Sequence, residues 1–144
     1  MQTLIDLSHQ YKSNMQIVVA WGDMDAAQHV NNIMYLRYLE SARIQYMEDI
    51  QFGFGQNEVG IILAEVNVKY KIPVTFPDTL WVGTKTIIES IEESSLWTEQ
   101  VIFSQVHQKI TTISTARLVC YNYAQLKKIV WPDDVKRQIL EFEG

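Results

Sequence analysis

Cysteine, proline, glycine and basic charge are all scarce in this chain, and each scarcity excludes something. A single cysteine, Cys120, in 144 residues allows no internal disulfide and no multi-cysteine zinc site. Three prolines and six glycines leave no linker, repeat or low-complexity stretch. A net charge of −5 and a pI near 5.1 lack the basic stripe of a duplex nucleic-acid binder. No apolar run approaches the ~20 residues that span a bilayer. The first fifteen residues carry neither the basic block nor the apolar core of a signal peptide. His9, His29 and His107 are too scattered for a metal site, and no GxSxG, P-loop or GxGxxG motif occurs. With 47% hydrophobic and 20% charged residues, the expectation is a soluble, cytoplasmic protein without metal or cofactor, one domain over residues 1–144.

Hydrophobic periodicity orders the elements. Met15 to Trp21 is a short run of β-formers and reads as a first strand, followed by a loop over Asp23–Val30. From Asn32 to about Ile50 there is no Gly or Pro, Asn31 is placed as N-cap, and Gly53 follows the end, so this segment reads as a helix. Ile33, Leu36, Leu39, Met47 and Ile50 share one broad face, with Met34, Tyr38 and Ala42 on the other side. A helix apolar over most of its circumference is expected to be central. After a loop at Gln51–Glu58, Ala64, Val66, Val68, Tyr70 and Ile72 alternate with polar residues as a strand ending at Pro73 and the Phe76-Pro77-Asp78 turn. Thr79–Ile91, Leu96–Val106 and Ile110–Tyr121 are three more strands, joined by tight turns at Glu92–Ser95 and His107–Lys109 and therefore antiparallel. Trp131-Pro132-Asp133-Asp134 opens a short terminal helix. The economical packing is an α+β domain in which a strongly curved antiparallel sheet wraps one long helix. Trp81, Trp97, Val101 and Phe103 alternate along the strands and cannot all face inward. Their cover is expected from a second copy of the chain, as a homodimer or homotetramer.

The segment WGDMDAAQHVNNIMYLRYLESAR, Trp21 to Arg43, resembles the signature of hot-dog-fold acyl-CoA thioesterases of the 4-hydroxybenzoyl-CoA thioesterase family. The matching features are Asp25 after the first strand, His29-Val30-Asn31-Asn32 leading into the helix, and Glu40 before Ala42-Arg43. Val68–Pro73, Asp78-Thr79-Leu80, Ala116–Cys120 and Trp131-Pro132 extend the likeness over nearly the whole chain. One departure is Ala27-Gln28, where several relatives have Gly before the helix. The resemblance implies the hot-dog fold, in β-α-β-β-β-β order with a short C-terminal helix, and hydrolysis of an acyl thioester of coenzyme A. Asp25 would be the catalytic carboxylate, as general base or nucleophile. The backbone N–H of Asn32 would polarise the thioester oxygen, since a helix N-terminus offers free N–H donors and a partial positive charge. His29, Asn31 and Tyr35 would bind substrate, in a site completed by a partner subunit.

Each of these residues also has a plain structural reading. Asp25 is either catalytic or a turn residue, Asn31 is fully explained as an N-cap, and His29 either orients the loop or meets substrate. Tyr35 belongs either to the pocket or to the core. Asp23 reads as a strand-end turn residue, Glu40 and Arg43 as an ion pair three residues apart, and Cys120 as buried filler. Asp23-Met24-Asp25 also suggests the DxD of haloacid-dehalogenase-like phosphatases, but those need a parallel sheet that this pattern lacks. Hot-dog dehydratases place their His and acid differently. The rival from another class is a non-catalytic hot-dog module that binds acyl-CoA or acyl carrier protein.

Overall fold

Reciprocal hydrogen bonds start a first helix that the sequence reading does not anticipate. The Thr3 hydroxyl accepts from the Asp6 N–H at 3.2 Å, and the Asp6 carboxylate accepts from the Thr3 N–H at 2.9 Å. This α1 (Leu4–Gln10) precedes β1 (Ser13–Val18), a 3-10 turn at Trp21–Asp23 and the long α2 (Asn32–Asp49). Then come β2 (Val59–Tyr70), β3 (Thr79–Ile87), β4 (Ser95–Ser104), β5 (Lys109–Asn122), the two-residue β6 (Lys127–Lys128) and α3 (Asp133–Glu143). The computed structural model describes residues 2–52 and 58–144. The expected helix-ending Gly53 and most of the expected Gln51–Glu58 loop lie outside the described residues.

The sheet runs β1-β3-β4-β5-β2, with every pairing antiparallel and β6 added to β5. Strand ends differ from the expected ones where a local turn intervenes. Trp21 leaves β1 for the 3-10 turn, and a second 3-10 turn at Ile88–Ser90 ends β3 before Ile91. In β2 the alternation is broken by a bulge between Leu63 and Glu65, so Ala64 is the extra residue.

Helix α2 lies on the inner face of the sheet. Its Tyr35, Tyr38, Leu39 and Ala42 pack with Leu80, Val82 and Ile102 in one cluster, and Tyr46 and Met47 pack with α3 in another. Leu39, Leu80 and Ile102 are fully enclosed, each burial being worth about 1.5–3 kcal/mol. The expectation of a helix enclosed all round is corrected in part, because Ile33 is 70% exposed and Leu36 and Ile44 are also open. The sheet covers one face of α2 and leaves this stripe uncovered.

The expected Glu40–Arg43 ion pair is also corrected. Arg43 is buried while Glu40 is exposed, and the guanidinium donates to Gln100 Oε1 at 3.1 Å. Gln100 Nε2 in turn donates to the Leu39 carbonyl at 2.9 Å and to Thr84 Oγ1 at 3.0 Å. A buried polar group needs partners, and strand β4 offers them on the side of Arg43 where Glu40 is not.

The outer face is covered differently from the expectation that only a partner could do so. Trp81, Val101 and Phe103 pack against Leu7 of α1 and against Tyr11. The Tyr11 and Trp81 rings meet edge to face at 6.3 Å. Gly83 makes this approach possible, because a Cβ there would lie 2.7 Å from the Tyr11 Cβ. Part of the oligomer argument therefore falls away, since the chain's own first helix covers these three residues. Trp97 stands outside this cluster and is half-buried. No helix among the described residues is long and apolar enough to cross a membrane.

Candidate functional site

The passage from β1 to α2 is short and tightly bonded. Asp23 anchors it with two oxygens. Its carboxylate accepts from the Ala20 N–H at 3.0 Å and from the Tyr38 hydroxyl at 2.7 Å, and its carbonyl accepts from the Asn31 N–H at 2.9 Å. Burial, with the Asp23 carboxylate beside it, pushes the Tyr38 hydroxyl above the usual tyrosine range, so it remains a donor. Asp23 is thus the strand-end turn residue expected of it, and it also ties the loop to the second turn of α2.

Between these anchors the chain folds back on itself. Met24 and Val30 form an isolated antiparallel bridge, and the Asp25 N–H donates to the His29 carbonyl at 3.0 Å. Asp25 closes the loop through its carbonyl, which accepts from the Gln28 N–H at 2.9 Å, and through Oδ1, which accepts from the Ala27 N–H at 2.9 Å. This is the turn geometry of the plain reading, but it uses only one carboxylate oxygen. Oδ2 has no hydrogen-bond partner among the described residues, and the residue is exposed.

Helix α2 begins where the sequence pattern places it. The Asn31 side chain caps it by accepting from the Ile33 N–H at 3.0 Å, and the Asn31 carbonyl accepts from the Met34 N–H at 2.8 Å. The N–H of Asn32, first residue of the helix, has no acceptor among the described residues. The Asn32 carbonyl accepts from the Tyr70 hydroxyl at 3.0 Å. Tyr35 is buried, its ring 4.9 Å from that of Tyr70, and its hydroxyl accepts from the Val74 N–H at 3.0 Å. The Val74 carbonyl accepts from the Val30 N–H at 2.8 Å, which stitches the segment after β2 to the start of the helix.

These elements surround one cavity of about 420 Å³ that Asp25, His29, Asn32 and Tyr35 all line. Four of the five site residues expected from the sequence therefore meet there. Asn31 is not among the lining residues, its side chain being used as the cap. Tyr70, Lys71 and Pro73 complete the wall and were not singled out by the sequence reading. Their signal was the Val68–Pro73 block, whose arrival at the helix start depends on the return path of the chain. Cys120 is elsewhere, fully buried, with its thiol pushed up to about 11 by that burial. Among the described residues no group of three or more His, Cys, Asp and Glu side chains is placed to hold a metal ion.

Comparison with known proteins adds an independent line. The model of the thioesterase-like superfamily matches residues 19–139. The chain is 23% identical over 127 residues to the long-chain acyl-CoA thioesterase FadM of Escherichia coli, covering 86% of this chain and 94% of that protein. It is 20% identical over 122 residues to the acyl-CoA thioesterase YbgC of Haemophilus influenzae, covering 82% and 87%. Among solved structures it is similar to a Thermus thermophilus thioesterase complexed with coenzyme A and zinc. There the TM-score is 0.83, with 24% identity and 94% and 96% of the two chains covered.

Gln28 supplies a test of the loop geometry. Its φ of 62° is left-handed, where a residue with a Cβ is strained and glycine is not. Gln28→Gly is expected to raise stability by about 0.5–1 kcal/mol, after allowing for the more flexible unfolded chain. Urea unfolding measures it, and a loss of stability would show that this loop is not built on a left-handed Gln28.

Proposed function

Since the chain belongs to the thioesterase-like superfamily, we propose that it is an acyl-CoA thioesterase, hydrolysing an acyl-CoA thioester to the free acid and coenzyme A. One hot-dog domain over residues 1–144 does the work in this reading. The observation that carries it is the single cavity shared by Asp25 and the N-terminus of α2.

The thioester carbonyl oxygen lies at the helix start, where the unpartnered Asn32 N–H donates to it. The helix field stabilises the negative charge that develops as the carbonyl carbon is attacked. Asp25 Oδ2 either takes the proton from an attacking water or attacks the carbon itself. In the first case the tetrahedral intermediate collapses directly to the acid. In the second a mixed anhydride forms and water then cleaves it. Either way the C–S bond breaks and the sulfur leaves as thiolate, taking a proton to become the coenzyme A thiol. His29 and Tyr35 bound the substrate, and Tyr70 steadies the helix start through the Asn32 carbonyl.

The acting unit in this proposal is a homodimer or a pair of such dimers, with each site completed by the partner. Two observations support it: β2 is an edge strand bearing exposed Ile62 and Leu63, and α2 leaves Ile33, Leu36 and Ile44 uncovered. Sedimentation at working concentration reads the state. A monomer with full activity overturns the shared site.

Two substitutions test the chemistry. Asp25→Asn keeps size but removes the charge, and is expected to lower thiol release from acyl-CoAs at least about 10²-fold with folding intact. Unchanged turnover would remove Asp25 from the reaction, and no thiol release from any acyl-CoA by the unmodified protein would favour a non-catalytic binding module. Asn32→Pro deletes the donor, and the extended Asn31 (φ −61°, ψ 138°) already suits a following proline. Its expected cost is about 10²–10³ in kcat, with Asn32→Ala, which keeps the N–H, as control. A fully active Asn32→Pro protein would rule out this N–H as the oxyanion donor.

A further inference from the structure

Tyr38, Tyr46 and Tyr70, on or against α2, each give the hydroxyl proton to a neighbouring oxygen. The acceptors are the Asp23 carboxylate at 2.7 Å, the Glu143 carboxylate at 2.6 Å and the Asn32 carbonyl at 3.0 Å. Tyr35 does the reverse. Its oxygen accepts from the Val74 N–H at 3.0 Å, and its own O–H has no acceptor among the described residues. A buried hydroxyl with an unused donor is uncommon and costly. This residue is only 3% exposed, and it forms part of the wall of the Asp25 cavity.

Helix geometry brings this hydroxyl to the start of α2. Tyr35 follows Asn32 by three residues, so its Cα stands about 4.5 Å farther along the axis. A helical side chain leans back toward the N-terminus and covers the turn before its own Cα. The Tyr35 ring therefore lies over the turn that carries the Asn32 N–H. Two contacts hold it there. Tyr70, its edge-to-face partner at 4.9 Å, is itself bonded to the Asn32 carbonyl. Val74, whose N–H it accepts, is bonded through its carbonyl to the Val30 N–H, two residues before Asn32. The Tyr35 O–H and the Asn32 N–H are thus two donors without acceptors among the described residues, on the wall of one cavity.

We propose that the Tyr35 hydroxyl is a second donor to the thioester carbonyl oxygen, acting together with the Asn32 N–H. The proposal rests on the thioesterase reading above and adds a catalytic side chain to it. Two donors suit an oxygen that gains negative charge as its carbon is attacked, because both are in place before the charge appears. Val74 assists, since its N–H polarises the Tyr35 O–H and fixes the oxygen that carries it. Burial raises the hydroxyl above the ordinary tyrosine value, the Val74 N–H lowers it in part, and Tyr70 adds to the rise. The proton is therefore present at neutral pH. It stays on Tyr35 while the oxyanion forms and while the C–S bond breaks.

Tyr35→Phe removes the donor and keeps the ring. It is expected to lower kcat and kcat/KM together by about 10²-fold, with KM in place. Because it also leaves the Val74 N–H without an acceptor, a second variant separates donation from anchoring. Difluorotyrosine in place of Tyr35 keeps the hydroxyl but ionises at lower pH. Its phenolate still accepts from Val74 and has no proton to give, so kcat is expected to fall at lower pH than in the unmodified protein. The titratable groups around it are Asp25 and His29 of the loop, Tyr38 of α2, and Tyr70 and Lys71 at the end of β2. All are the same in both proteins, so the displacement belongs to Tyr35. Alkaline limbs at the same pH would overturn the proposal.

Infrared spectroscopy reads the bond without turnover. The probe is an acyl-CoA ketone with an isotope-labelled carbonyl and a methylene in place of the sulfur. Its bound carbonyl stretch is expected at lower frequency in the unmodified protein than in Tyr35→Phe. A shift that depends on Tyr35, in a protein that hydrolyses no thioester, keeps the donor and loses the thioesterase reading. Hydrolysis of acyl-CoA with the same kcat in Tyr35→Phe keeps that reading and overturns the donor. A fall in kcat without a shift of the carbonyl band also overturns it, since the hydroxyl then serves the leaving sulfur or the fold alone.

Discussion

Asp23 sets the geometry on which the rest of the cleft depends. Its carboxylate holds Ala20 at the end of the strand and Tyr38 in the helix, while its carbonyl holds Asn31 at the helix start. Three points on two elements are thus tied to one residue. The five residues between Met24 and Val30 have little choice of path once both ends are fixed, and the bridge between those two residues closes them into a tight loop. Asp25 lies inside that loop, beside the helix start. A carboxylate placed by backbone bonds on a short loop needs no large side-chain network to orient it.

The same economy holds beneath the helix. Polar groups under α2 are matched by a few bridging side chains: Gln100 serves Arg43, Leu39 and Thr84, and the Tyr46 hydroxyl meets Thr86 and Glu143 from the last helix at 2.6 Å each. Leaving such groups unpaired in the interior would cost about 1–3 kcal/mol apiece. Around these contacts the core is ordinary aliphatic and aromatic packing, which fixes the angle of the helix over the strands and, with it, the direction in which its N-terminus points.

The two faces of the sheet have separate tasks. The inner face carries the long helix and the cleft at its start. The outer face is closed over Trp81, Val101 and Phe103 by α1 and Tyr11, and its remaining hollow presents lysines beside the end of β2. The uncovered stripe of α2 and the exposed Ile62 and Leu63 on the open edge of β2 are apolar surfaces of a third kind.

Much of this was legible in the residue order. The alternation of β2 to β5, the long Gly- and Pro-free helix, the Asn31 cap and the tight turns all arise from interactions within a few residues, so periodicity and cap residues reveal them. The motif around Asp25 and Asn32 belongs to the same class, because loop and helix start are adjacent in the chain. Tertiary structure alone decided the rest. A seven-residue helix is too short to show a period, and α1 is stable because Leu7 and Tyr11 find the outer face of a sheet formed by strands far along the chain. Arg43 had a partner three residues away on paper, yet burial turned it to Gln100, fifty-seven residues on. Tyr70 and Lys71 reach the cleft only because the segment after β2 is stitched to Val30 and Tyr35 through Val74. Local sequence determines which way a segment can fold; which distant groups it then meets is settled by burial, which acts on the whole chain at once.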